Sequence, residues 1–103
     1  MRPRYSEVVN SWLRHYALTQ DEAPGCLPRF KCDEERENWC ACNDVLKEYS
    51  ARDAKIIAEL YLPGDTMPDK IYLMSKQMRV PQNTLWNLIR DTERRIAQKR
   101  GLV

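Results

Sequence analysis

Apolar residues recur at steps of three and four through most of this chain, and proline or glycine interrupts the recurrence at Pro24, Gly25 and Pro28, at Pro63-Gly64, and at Pro81. That spacing is the period of a helix with one buried face. The strict alternation that a half-buried strand requires is not found, so the chain reads as all-α. With 103 residues it has length for one domain around one modest core.

The breaks divide the chain into segments. Residues 5 to about 18 carry Val8, Val9, Trp12, Leu13 and Tyr16 on one helical stripe. The stretch TQDEAPGCLPRFKC, residues 19–32, reads as a loop or hinge because two prolines and a glycine fall within five positions. Residues 1–32 therefore read as an N-terminal helix and loop, and 33–103 as a helical domain. Asp33, Glu34 and Glu35 suit a helix start through the dipole, and Trp39, Cys42, Val45, Leu46 and Tyr49 follow at helical steps. Ser50 is placed to cap a helix bearing Ala54, Ile57, Ala58, Leu60 and Tyr61, with Asp53 in a capping-box-like position. After Pro63-Gly64, Asp65 or Thr66 caps a segment that presents Ile71, Met74 and Met78. The last segment runs from about 81 to 100, with Leu85, Leu88, Ile89, Thr92 and Ile96 as its inner stripe and Gly101 as a stop.

The last two segments are joined by about three residues, which is the helix-turn-helix plan, at about 66–100. Ser75 is a small residue where the helices would cross, and Val80 is an apolar residue for the turn. Gln82, Asn83, Trp86, Asn87 and Arg90 lie mainly on the outer side of the second helix. Asn and Gln can make bidentate contacts to adenine edges, and Arg to guanine. Lys76, Arg79, Arg94 and Arg95, with the rest of the basic tail, are candidates for phosphate. Charge is distributed to match. Residues 1–49 hold seven Lys/Arg against nine Asp/Glu, whereas residues 50–103 hold ten against six.

Residues 50–103, YSARDAKIIAELYLPGDTMPDKIYLMSKQMRVPQNTLWNLIRDTERRIAQKRGLV, resemble the helix-turn-helix of the fourth conserved region of bacterial RNA polymerase sigma factors. They also resemble phage late-gene transcription regulators of the autolysin-regulator (ArpU) type. Leu60-Tyr61 ends a helix ahead of the motif, Met74, Ser75 and Val80 follow the motif's pattern, and Glu93-Arg94-Arg95-Ile96 continues into a basic amphipathic tail. Pro81 departs from the serine favoured in sigma factors, and Trp86 is bulky for a groove-facing position. The resemblance implies a sequence-specific transcription regulator of phage or prophage origin that binds double-stranded DNA and works beside RNA polymerase.

Other chemistry finds little support. Cys26, Cys32, Cys40 and Cys42 form C-x5-C-x7-C-x-C, and two cysteines two apart on a helix point about 200° away from each other. Cys42 reads as a core residue, and a metal site is not expected. His15 has no legible nucleophile partner, the run 33–37 reads as a solvated acidic helix start, and no Gly-rich phosphate loop is present. We therefore expect neither an enzyme nor a cofactor. The first residues are broken by charge, and no stretch nears the roughly 18 apolar residues of a membrane span, so a cytoplasmic protein with reduced cysteines is expected. A homodimer is expected because one such motif buries little DNA surface, with Trp12, Leu13 and Tyr16 as candidate interface residues. Two rival readings keep the fold and change the partner. In one the last helix docks on RNA polymerase or another phage protein through Trp86; in the other the chain is a small DNA-packaging protein.

Overall fold

The computed structural model describes residues 3–103 and contains five helices among them: α1 Ser6–Glu22, α2 Asp33–Lys47, α3 Ala51–Tyr61, α4 Met67–Met78 and α5 Gln82–Lys99. No described residue lies in a strand. The all-α expectation holds, and α2, α3 and α4 begin where local chemistry starts a helix. Three acidic residues occupy the first turn of α2, and Glu35 reaches back to accept from the Lys31 N–H at 2.9 Å. Ser50 Oγ accepts from the Asp53 N–H at 3.1 Å, capping α3. Thr66 precedes α4, with Pro68 in its first turn. The Lys70 ammonium donates to the carbonyls of Leu60 and Leu62 at the end of α3, where a cation suits the helix dipole.

One core joins all five helices. α1 packs on α2, α3 and α5; α2 also packs on α5; α4 packs on α5 and α3. Val9, Leu13 and Ala17 of α1, Cys42 and Val45 of α2, Ile57 and Leu60 of α3, Ile71 of α4, and Leu85, Ile96 and Ala97 of α5 are all essentially inaccessible to water. The segment read as an N-terminal helix and loop is thus integral to that core. Leu13 and Tyr16, candidates for a dimer interface, are buried inside the monomer; only Trp12 of that trio stays half-exposed.

α1 runs one turn further than its apolar stripe suggests, to Glu22 instead of about 18. The added turn carries Thr19, whose Oγ1 accepts from Trp39 Nε1 at 2.8 Å. Tyr16 lies against the same indole with ring centroids 5.0 Å apart, and Phe30 packs on it at 5.8 Å. Phe30 thereby folds the connecting loop back onto α2, and Tyr16 OH donates to Asn43 Oδ1 at 2.9 Å. Among the described residues no helix is long and apolar enough to cross a membrane.

Candidate nucleic-acid interface

The turn between α4 and α5 is short and tightly closed. Arg79 adopts a left-handed conformation (φ 57°), and its N–H and that of Val80 both donate to the Ser75 carbonyl. The Val80 bond is the 6→1 bond of a Schellman termination and the Arg79 bond the 5→1 bond of an αL cap, with arginine where glycine is usual. Ser75 Oγ returns a hydrogen bond to the Val80 carbonyl, so the small residue of α4 fastens the turn itself. Val80 is half-buried, and Pro81 stands in extended conformation just before α5. Because proline brings no N–H to a helix start that could not use one, its place there is physically sound.

At 100° per residue, Asn83, Asn87, Arg90 and Arg94 fall within one narrow stripe of α5, at spacings of four, three and four. All four are exposed, as are Gln82, Lys76 and Arg79. Among the described residues, Gln82, Asn83, Asn87, Arg79 and Arg90 make no side-chain hydrogen bond or ion pair within the chain. Lys76 lies over the Tyr72 ring, 4.5 Å from its centroid, on the outward side of α4.

The basic tail is arranged differently from the phosphate-facing row read in the sequence. Arg94 bonds Asp91 Oδ1 at 2.8 Å, and this partner raises the guanidinium pKa. Arg95 meets Asp91 Oδ2 at 3.0 Å and Glu48 at 3.8 Å, while stacking over Tyr49. Arg100 bonds Glu37 and Asn38 across to α2. The Arg94 pair lies within α5, whereas Arg95 and Arg100 tie the helix to α2 and the residues that follow it. Trp86 also departs from its expected place: it is half-buried and lines, with Met67 and Ile89, a groove beside α1 whose rim reaches Arg90.

Glu93, read from the sequence only as part of the basic amphipathic tail, is an anchor of the fold. Only 4 % of it is exposed. Ser6 Oγ donates to its Oε2 at 2.8 Å, and Asn10 Nδ2 and Tyr61 OH donate to its Oε1 at 2.8 and 3.0 Å. One carboxylate thereby joins α1, α3 and α5. Its position was visible, since it falls four residues after Ile89 and three before Ile96, on the apolar stripe. A charged residue there requires buried donors, and Ser6, Asn10 and Tyr61 supply them from two other helices.

The cysteines offer no shared site. Cys42 is buried, and burial pushes its thiol up to about 12; Cys26 and Cys32 are exposed in the loop and Cys40 half-buried. Among the described residues no group of three or more His, Cys, Asp or Glu side chains is placed to hold a metal ion. His15 faces Glu35 at 3.5 Å. No family model, curated protein or solved structure matches the chain.

Proposed function

We propose that the chain is a sequence-specific DNA-binding transcription regulator that reads the major groove with the first half of α5. One observation carries the reading. On a helix whose later charges are mostly engaged internally, Asn83, Asn87 and Arg90 stand exposed on one stripe with no side-chain partner among the described residues. They follow a three-residue turn that is locked at both ends. Polar side chains with amide and guanidinium forks, held on a rigid helix, are the groups that read adenine and guanine edges. Lys76 and Arg79 flank the stripe as phosphate contacts, and Gln82 lies at the helix entrance. Assignment to the phage late-gene class rests on the sequence resemblance.

A second reading draws on α4. Tyr72 and Leu73 are 46 % and 49 % exposed on its outer side, which favours a protein neighbour there, RNA polymerase being the natural one for a promoter-bound regulator. This moves the protein-docking reading from Trp86 to α4.

A labelled random-sequence duplex titrated at about 50 and about 200 mM salt tests the proposal. With Lys76 and Arg79 as two phosphate-neutralising groups, affinity falls about 12-fold across that range. Absence of binding even at the lower salt overturns it and leaves the α4 docking surface as the functional one.

A further inference from the structure

We propose that the groove between the first turns of α1 and α4 and the middle of α5 binds a small aromatic carboxylate, and that this ligand competes with DNA for Arg90. The regulatory half of this proposal rests on the DNA-binding reading above; the binding half does not. The groove has a volume of about 910 Å³, inside the range of roughly 300–1,000 Å³ that accommodates small organic ligands. Tyr5, Met67, Trp86 and Ile89 give it an apolar and aromatic floor. Trp86 packs against the edge of the core and leaves its other side to this groove, which accounts for a bulky aromatic on α5 that is only half-buried.

The groove's charged groups fix the sign of the ligand. Asp91 is engaged by Arg94 and Arg95, and Glu93 is covered and receives hydrogen bonds from Ser6, Asn10 and Tyr61. Arg94 is held by Asp91. Arg90 alone is exposed at the rim with no hydrogen bond or ion pair to any described residue. The uncommitted charge is therefore a guanidinium, whose planar fork matches a carboxylate in bidentate fashion. α1 and α4 both begin at this groove, and their dipoles add positive potential on the same side.

Arg90 belongs to both surfaces. It lines the groove and also stands in the stripe with Asn83 and Asn87. A carboxylate seated on its guanidinium withdraws it from a DNA base or phosphate, so the ligand lowers DNA affinity. By linkage, DNA lowers ligand affinity by the same factor.

The test uses the full chain, isotope-labelled for NMR, titrated with naphthalene-2-carboxylate, its neutral carboxamide and 2-naphthylmethylamine. The expected result is saturable shifts centred on Tyr5, Met67, Ile89 and Arg90 with the carboxylate. Binding weakens about tenfold or more for the carboxamide and for Arg90→Gln, as loss of a charged hydrogen bond implies. Lys55→Gln, on exposed α3 surface, leaves binding unchanged. No saturable shift up to about 10 mM, shifts centred elsewhere, or tighter binding of the amine overturns the site. None of these readouts involves DNA, so failure of the DNA reading leaves them interpretable. Where the carboxylate saturates the groove and DNA affinity stays constant, the regulatory half is overturned.

Discussion

α5 is one continuous helix with two different halves. From Gln82 to Arg90 its polar side chains point outward and bond to nothing else among the described residues. From Asp91 onward most are engaged: Asp91 with Arg94 and Arg95, Thr92 with Tyr49, Glu93 with α1 and α3, and Arg100 with α2. A recognition surface has to be held still by groups other than those that recognise. Here the second half of the helix does the holding, and the first half is left with unsatisfied amides and a guanidinium in water. The number of basic residues in a tail is therefore a poor guide to phosphate contacts, because most of this tail's guanidinium groups already face carboxylates of the same chain.

The division is broken most severely at Glu93. Glu93→Leu removes the carboxylate that accepts from three buried groups, on Ser6, Asn10 and Tyr61, and losing the acceptor of a buried donor costs about 1–3 kcal/mol. We expect a total loss of about 3–5 kcal/mol in urea denaturation, a large share of the roughly 5–15 kcal/mol that holds a domain together. A loss below about 1 kcal/mol means that the second half of α5 is anchored by its apolar stripe alone.

Substitutions in the first half should have the reverse signature. Asn83→Ala and Arg90→Ala leave stability within about 0.5 kcal/mol, as exposed sites without partners do. Each lowers affinity for a selected DNA site by about 1–3 kcal/mol, measured by fluorescence anisotropy. Arg95→Ala serves as the internal contrast. Its side chain is held by Asp91, Glu48 and the Tyr49 ring, and its loss leaves DNA affinity within about twofold. Equal losses of affinity for Arg90→Ala and Arg95→Ala would erase the distinction between the halves.

The sequence made one of these halves more legible than the other. Helical period, the Ser50 cap, the break at Pro81 and the outward stripe at 83, 87 and 90 are local features, set by residues within a turn or two of each other. The anchoring contacts are not local. Glu93 meets residues 87, 83 and 32 positions away, and Arg100 meets Glu37 and Asn38 more than 60 positions away. Residue type and spacing on α5 leave such pairings open. The same limit explains Leu13 and Tyr16. Their stripe was evident as apolar, but whether it faced a second copy or the chain's own α2 and α3 depended on how α1 docks. Trp86 was assigned outward from its polar sequence neighbours, although its 40° offset from Gln82 on the helix also brings it toward Glu93 and Ile89.

A smaller effect sharpens the anchored half. Tyr49 OH shares a 2.8 Å hydrogen bond with Thr92 Oγ1, which itself donates to the Leu88 carbonyl. Tyr49→Phe should cost about 1 kcal/mol in stability without altering DNA affinity of the folded protein. Burial raises the phenol pKa above its ordinary value, with the nearby Asp91 adding to the shift. Since the neutral phenol is the form the fold favours, this contribution is complete below the unfolded pKa of about 10 and fades as pH rises through the higher folded value. Denaturation curves should show that alkaline loss in the native chain and less of it in Tyr49→Phe.

The smallest effect falls on the turn just before the exposed half of α5. Arg79 holds a left-handed conformation that costs a side-chain-bearing residue about 1–2 kcal/mol. Glycine adopts it freely but loses more backbone entropy on folding, so Arg79→Gly should gain only about 0.5 kcal/mol in stability. If Arg79 holds a phosphate, the same variant shows a salt dependence of DNA binding that is shallower by about 0.9 in logarithmic slope. A chain that becomes more stable and at once less steeply salt-dependent has kept arginine at a strained position for contact with its partner. A gain in stability with an unchanged slope places the start of the proposed DNA-contacting surface after the turn, at Gln82, and reduces the role of Arg79 to closing α4.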